Sequence, residues 1–452
     1  MIDRDEIDAT CEFLGVHAAD VQRDYLYGWL LAGLYGDSPL AGDRLVLKGG
    51  NAFRKGYFAN TRFSGDLDFA APTGLDADQF LDVLNNACRM IQARTGVEFD
   101  IGRNAQTGQR SIDSSKTVYK FTLYFKNFYG KTSTMTIALR MDVTEFGRLY
   151  LPIQQRNLIH PYSDQADCAT TLAVVSIEEA LADKLKCLLQ RHSSNDLFDL
   201  VYAIFINNDI AVDKTLFVTT FLRKTIFEPS PQAALKLLLA VPFEIMRRYW
   251  KKIVCAAASR MDFTAAVQLF TDELQALFSS FRRGEGNQLA FYPAELRTPI
   301  MQAGQAQTLL RITYDGIPRL VEPYSLAFKW SKRGAGQEYL YVWDQTGGRS
   351  GPGIKSWFNW KITSLETTDV TFEPRYEIEL AKAGEYGERT TFSSPRSRAG
   401  RSGMARPHRQ ARYRVRCASC QREFDRTGAS TVMRPHNDSY GNPCRGRRAH
   451  RI

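Results

Sequence analysis

Asp66 and Asp68, the two carboxylates of "GDLDF", have the type and spacing that most directly suggest chemistry in this chain. On an extended strand they point to the same face and repel each other. A hard divalent cation such as Mg²⁺ or Mn²⁺ relieves that repulsion and keeps coordination sites for substrate phosphates. A third carboxylate from another strand would complete a two-metal site for in-line displacement at phosphorus; Asp142 in "IALRMDVTEF" is the candidate. A solvated strand end accounts well for one Asp and less well for three beside a double glycine. That double glycine, Gly49-Gly50, precedes Asp66 by 16 residues. It allows backbone N–H groups close to a triphosphate, and a following helix N-terminus adds partial positive charge. Lys48, Arg54 and Lys55 stand ready to neutralise phosphate or to meet an incoming acceptor.

A second constellation lies near the C-terminus. Cys417-x-x-Cys420 is followed by His436 and Cys444. Three thiolates and one imidazole form a closed tetrahedral set for structural Zn²⁺, against the competing reading of a redox Cys-x-x-Cys. Cys11, Cys88, Cys168, Cys187 and Cys255 sit in apolar patterns and read as small buried hydrophobes. The charge is equally uneven. From Arg396 onward there are 15 Arg, no Lys and 3 acidic residues, a charge of +12, leaving −2 for the rest of a chain whose total is +10. A concentrated arginine field suits a polyanion, nucleic acid first; a solvated, disordered tail is the plain alternative. Arg414, Arg416, Arg445, Arg447 and Arg448 bracket the metal ligands.

The elements that must position these groups read as α+β. The 452 residues suffice for several domains, with 44% hydrophobic residues, an acidic N-terminus and no apolar run long enough to span a bilayer. The expected location is cytoplasmic, with no membrane partner. Residues 1–210 mix helices with strands: "VQRDYLYGWLLAGLYG" and "DADQFLDVLNNACRMIQARTG" have helical spacing, while "TVYKFTLYFKNF" and "STMTIALRMDVTEFG" alternate as strands. "SIEEALADKLKCLLQRH" is a helix opened by a capping box, Ser176 with Glu179. Residues 211–292 read as a helical extension, 305–381 as a β-rich small barrel, 382–412 as a basic flexible linker, and 413–452 as a module too short to fold without a metal.

"KGGNAFRK…RFSGDLDF" resembles the AbiEii-type nucleotidyltransferases, a branch of the DNA polymerase beta-like fold that includes abortive-infection and toxin–antitoxin toxins. The likeness continues in "VSIEEALADKLKCLLQRHSSNDLFDL" and covers roughly residues 1–290. It implies that Gly50 and Asn51 hold the triphosphate, with Lys48, Gly49 and Ser64 in the same nucleotide-binding set. Asp66 and Asp68 would ligate metal, Lys184 would contact nucleotide phosphates, and Asp196 would support the site or act as a base. Asn51 stands where the family usually has Ser or Thr, and Asn195 where Arg is common. Without the resemblance, Lys184 reads as ordinary helix surface charge and His192 as an incidental loop residue.

The β-rich segment resembles the WYL domain through "ITYDG", "RLVEPYSL", "EYLYV" and "FNWKITSL", with Glu338 in place of the Trp of that name. Tyr314, Arg319, Tyr339 and Lys361 would combine stacking with phosphate contact, unless Tyr339, Trp357, Phe358 and Trp360 simply fill the barrel.

Together these resemblances imply a metal-dependent toxin that moves a nucleotide from an NTP to RNA, tRNA first, within a toxin–antitoxin or phage-defence system, restrained by an antitoxin. Two other readings stay open. The same site would nucleotidylate a protein, or the chain would be a non-enzymatic nucleic-acid-binding regulator.

Overall fold

The apolar alternation of "TIALRMDVTE" buries Ile137, Leu139, Met141 and Val143 and turns Arg140, Asp142 and Thr144 to the other face, as one strand of the central sheet. This is seen in a computed structural model that describes residues 2–36, 44–111, 117–127, 136–207, 209–281, 290–330, 336–347, 351–380, 383–384, 413–426, 431–433, 436–437, 443–444 and 446–451. The described residues form two units. One comprises Met1–Ala180, Ile253–Arg260 and Gly403–Ile452, the other Leu181–Lys252 and Met261–Ser402.

The first unit is built on a seven-stranded mixed sheet. Its strands are β1 (Val46–Lys48), β2 (Asp66–Ala71), β3 (Ala105–Ser111), β4 (Thr117–Lys126), β5 (Thr136–Glu145), β6 (Gln154–Asn157) and β7 (Thr171–Val174). They lie in the order β3-β4-β5-β2-β1-β7-β6. Helix α1 spans Arg4–Leu14, capped by the Asp3 side chain. Helix α2 (Ala18–Tyr35) ends at Gly36 as its sequence predicts, and nearly every residue after Asp20 is buried up to Leu31. Between β1 and β2 the expected basic helix is α3 (Gly49–Asn51) running into a π-helical turn over Ala52–Tyr57. Every residue of that turn is buried, Arg54 and Lys55 included. Helix α4 (Ala77–Thr95) starts on the Asp76 side chain, which accepts from Gln79 N, and stops at Gly96 in the left-handed region. The Ser176 half of the capping box forms, with Glu179 N donating to Ser176 Oγ at 3.2 Å at the start of α5 (Ile177–Arg191). The Glu179 carboxylate instead accepts from Tyr150 N and Leu151 N.

The second unit begins within α5 and continues through α6 (Ser194–Val201), α7 (Lys214–Lys224), α8 (Pro231–Leu239), α9 (Phe243–Trp250), α10 (Phe263–Phe278) and α11 (Ala294–Ala306). A five-stranded antiparallel sheet follows: β8 (Thr308–Tyr314), β9 (Ile317–Trp330), β10 (Gly336–Asp344), β11 (Gly353–Trp357) and β12 (Ile362–Thr371). Four strands form a meander, and the fifth returns through a 3₁₀ turn at Asn359–Lys361 to pair with the first, giving β11-β10-β9-β8-β12. Among the described residues β11 and β12 are the two edges, so the segment is an open sheet where the sequence suggests a closed barrel.

Glu338 stands in the core of this unit with no exposed surface. Its carboxylate accepts from Arg297 Nη2 at 2.6 Å and from Tyr292 N at 2.7 Å, so it is held in a buried ion pair. Trp357 is buried in the core of this unit, but Trp360 is 49% exposed. Among the described residues no helix is long and apolar enough to cross a membrane.

Candidate active site

The carboxylates are placed by strand register. β2 runs parallel to β5 with Asp68 opposite Asp142 and Asp66 opposite Arg140, and antiparallel to β1 with Lys48 opposite Asp68. Directly opposed residues share a face. Asp66, Asp68, Arg140, Asp142, Thr144 and Lys48 therefore line one surface of the sheet, while Leu67, Phe69, Met141 and Val143 are buried on the other. Lys48 reaches across β2 to donate from Nζ to Thr144 Oγ1 at 3.0 Å. Lys120, opposite Asp142 on β4, donates to its Oδ2 at 2.7 Å.

The double glycine meets this face at close range. Gly49 has φ +70°, and a Cβ there would lie 2.1 Å from Asp68 Oδ2. A Cβ on Gly50 would lie 2.6 Å from Ser64 Oγ and 2.9 Å from Arg62 NH2. Ser64 Oγ in turn donates to Asp66 Oδ1 at 3.2 Å. Tyr27, buried on α2, fixes the entry to β2 by donating its hydroxyl to Gly65 O at 2.7 Å. The glycines, Ser64 and both aspartates thus form one continuous surface. Its donor chemistry, two adjacent carboxylates of which Asp66 is exposed and Asp68 half-exposed, fits a hard divalent cation.

Several expected site residues lie elsewhere. Arg54 and Lys55 do not face an acceptor. Both are buried against Asp24 of α2, Arg54 Nε at 2.6 Å from Oδ1 and Lys55 Nζ at 3.0 Å from Oδ2, and the Tyr162 hydroxyl donates to the same carboxylate at 2.9 Å. Burial alone would raise the Asp24 pKa, but the two cations outweigh it and hold the carboxyl far below the usual range. Burial, more than any partner, lowers that of Lys55. Asn51 has no exposed surface, and its side-chain amide donates to Asp66 O at 2.5 Å, so it braces the carboxylate strand.

In the second unit, Lys184 is buried between Asp196 and Asp199 at 3.2 and 2.8 Å. Arg191 closes on Asp196 from the other side at 2.6 and 2.7 Å. These cations keep the Asp196 carboxyl below its ordinary value against the effect of burial. An ionised carboxylate so surrounded is a poor general base. Arg319 is mostly buried and pairs with Asp344 at 3.5 Å, and Lys361 pairs with Asp315 at 2.8 Å. His192, in the left-handed region at φ +48°, has its pKa lowered to about 4 by burial.

Lys120, Thr144, Tyr27 and Asp24 are site or support residues that sequence reasoning missed. Lys120 and Thr144 carried a signal, since each occupies the polar phase of its alternating strand. Asp24 and Tyr27 carried none, because their partners lie 30 and 38 residues downstream.

In the C-terminal segment the ligand atoms of Cys417, Cys420, His436 and Cys444 lie within 4.8 Å of one another. Arg414, Arg416, Arg447 and Arg448 are exposed around them, and Arg445 lies outside the described residues.

Residues 30–269, more than half of the chain, match the family described as nucleotidyl transferase AbiEii toxin, type IV TA system. No curated protein matches the chain. Among solved structures, MenT4, a nucleotidyltransferase toxin from Mycobacterium tuberculosis H37Rv, is similar at 19% identity with a TM-score of 0.40. That likeness covers 64% of this chain and 92% of MenT4.

Proposed function

Because the chain belongs to the AbiEii nucleotidyltransferase toxin family of type IV toxin–antitoxin systems, we propose that it transfers a nucleotide from an NTP to an RNA acceptor, tRNA first among them. The acceptor hydroxyl attacks the α-phosphorus and gives up its proton to solvent, a new P–O bond forms, and the bond to the β-phosphate oxygen breaks to release pyrophosphate. The observation that supports this reading is the shared face of Asp66, Asp68 and Lys48 against the Gly49-Gly50 backbone. Mg²⁺ or Mn²⁺ held by Asp66 and Asp68, with Asp142 as the third carboxylate, supplies charge neutralisation at the transferred phosphate when bound.

The chain's own residues do the rest. The backbone at Gly49-Gly50 and the Ser64 hydroxyl bind phosphate, and Lys48 and Arg140 balance its charge from the same surface. Lys184 and Asp196 act as positioning groups within their own buried ion cluster. The β-rich segment, a WYL-like module in this reading, and the arginine field hold the acceptor. Trp360, half exposed and stacked on Phe358 with ring centroids 4.4 Å apart, offers a surface on which a base would stack. The family implies an antitoxin that restrains the enzyme; the cytoplasm and a role in abortive infection or antiviral defence complete the proposal.

The test is incubation of the full chain with each labelled NTP and total cellular extract, followed by RNase or protease. Label lost to RNase, and absent with Asp66→Asn or Asp68→Asn, supports the assignment. Label lost only to protease gives a protein acceptor, and incorporation undiminished in both variants overturns the site.

A further inference from the structure

The C-terminal segment has too little apolar material to hold itself together. Among the described residues its core is Val415, Cys417, Met433 and Ala449, with Cys420, Phe424 and Cys444 packed against them. A module of this size with so small a core needs a staple. A three-stranded sheet and a two-stranded ribbon lie there. Cys417 ends β13 (Tyr413–Cys417), whose hairpin partner is β14 (Glu423–Arg426) and whose other neighbour is β17 (Ala449–Arg451). His436 and Cys444 face each other directly in the ribbon of β15 (His436–Asn437) and β16 (Pro443–Cys444).

The spacing of the ligand atoms identifies the staple. Tetrahedral Zn²⁺ with bonds of about 2.3 Å to sulfur and about 2.05 Å to nitrogen requires S···S edges of about 3.8 Å and S···N edges of about 3.6 Å. Cys417 Sγ lies 3.9 Å from Cys444 Sγ, and Cys420 Sγ lies 3.4 Å from His436 Nε2. A disulfide would need sulfurs about 2.05 Å apart, and all eight cysteines of the chain are free thiols. Backbone N–H groups are aimed at the sulfurs: Ser419 N lies 3.4 Å from Cys417 Sγ, and Gly446 N lies 3.2 Å from Cys444 Sγ. Gly446 leaves room for them, since a Cβ there would sit 2.6 Å from Cys417 Sγ. The Phe424 ring stands edge-on to His436 at 5.0 Å.

We propose that Cys417, Cys420, His436 and Cys444 bind one Zn²⁺ in a closed, structural site that folds the C-terminal segment and holds Arg414, Arg416, Arg447 and Arg448 as one basic surface. Four protein ligands leave no position open for substrate, so the metal builds the module and takes no part in group transfer. The inference is independent of the transferase reading.

The test is metal analysis of the full chain purified without chelator. We expect about one zinc per chain, and exchange into Co²⁺ giving tetrahedral d–d bands with thiolate charge transfer. Cys420→Ser should lower zinc at least about tenfold, whereas Cys11→Ser should leave it unchanged. Because loss of a ligand also unfolds the module, His436→Cys is the second variant. It should keep the metal and shift the cobalt charge-transfer band. Wild-type protein that neither contains zinc nor takes up Co²⁺, zinc content indifferent to Cys420→Ser, or a disulfide among the three tail cysteines would overturn the site.

Discussion

Gly49→Ala tests whether the approach of the glycine turn to Asp68 matters to chemistry or only to folding. An alanine at φ +70° costs about 1–2 kcal/mol in backbone strain. The new methyl group would also stand 2.1 Å from Asp68 Oδ2, 2.8 Å from its Cγ and 2.9 Å from its Cβ, so turning the carboxylate aside does not clear it. Ordinary contact begins near 3.4 Å, so the carboxylate oxygen must retreat by about 1.3 Å. A displacement of about 1 Å in a reacting arrangement costs on the order of 100-fold in rate, or about 2.7 kcal/mol of transition-state stabilisation.

The expected result is therefore a roughly 100-fold loss of labelled-NTP incorporation, with urea unfolding showing a stability loss of about 2–5 kcal/mol from backbone strain and overpacking together. Gly65→Ala is the control, one residue from Asp66 but with nothing within 4 Å of the point where its methyl group would stand. If Gly49→Ala keeps activity within about threefold, or Gly65→Ala is equally harmful, the reasoning that links the glycine turn to the carboxylate face fails.

Two further outcomes follow from buried charge. Asp24→Asn removes the anion that holds both Arg54 and Lys55, and should destabilise the chain by about 3–5 kcal/mol in urea unfolding; a loss under about 1 kcal/mol would mean the cations find other partners. Stability should also fall on mild acidification. Burial lowers the pKa of His160 to about 4, helped by the Lys55 charge and opposed by Asp164, and burial lowers His192 to about 4. Both stay neutral in the fold below the usual histidine value near 6.5, so the unfolded chain binds more protons between those limits. Their contribution is complete above pH 6.5 and is lost towards pH 4, at most about 3 kcal/mol each. Thermal unfolding from pH 7.5 to 4.5 should show the fall, and His160→Gln should flatten it; a wild-type stability that is level across that range refutes the assignment.

Much of the central sheet was legible because its signals are local. Alternation in "TIALRMDVTE" fixes which residues face the carboxylates, and the phase of Asp66 and Asp68 fixes their common side. Helix α2 ends at Gly36 and α4 begins on Asp76 for reasons contained within a few residues. The Cys417, Cys420, His436 and Cys444 cluster was legible for the same reason, as a short pattern of side chains that share one chemistry. What the chain did not advertise depends on pairing across distance. The edges of the β8–β12 sheet are set by which strands meet, and the burial of Glu338 rests on Arg297, 41 residues upstream.

The cations make that limit concrete. Lys48, Arg54 and Lys55 look alike in sequence, three basic residues clustered around a glycine turn beside acidic residues. Their fates differ because the turn over Ala52–Tyr57 points Arg54 and Lys55 inward, where Asp24 offsets part of their desolvation, while strand pairing sets Lys48 on the carboxylate face. Lys184 repeats the lesson, since Asp196 and Asp199 of the following helix α6 claim it. A basic residue near a phosphate site is therefore evidence of phosphate binding only after its carboxylate partners have been located. By that criterion Lys48 and Arg140, which share the face of Asp66 and Asp68, are the cations through which this site would meet a triphosphate.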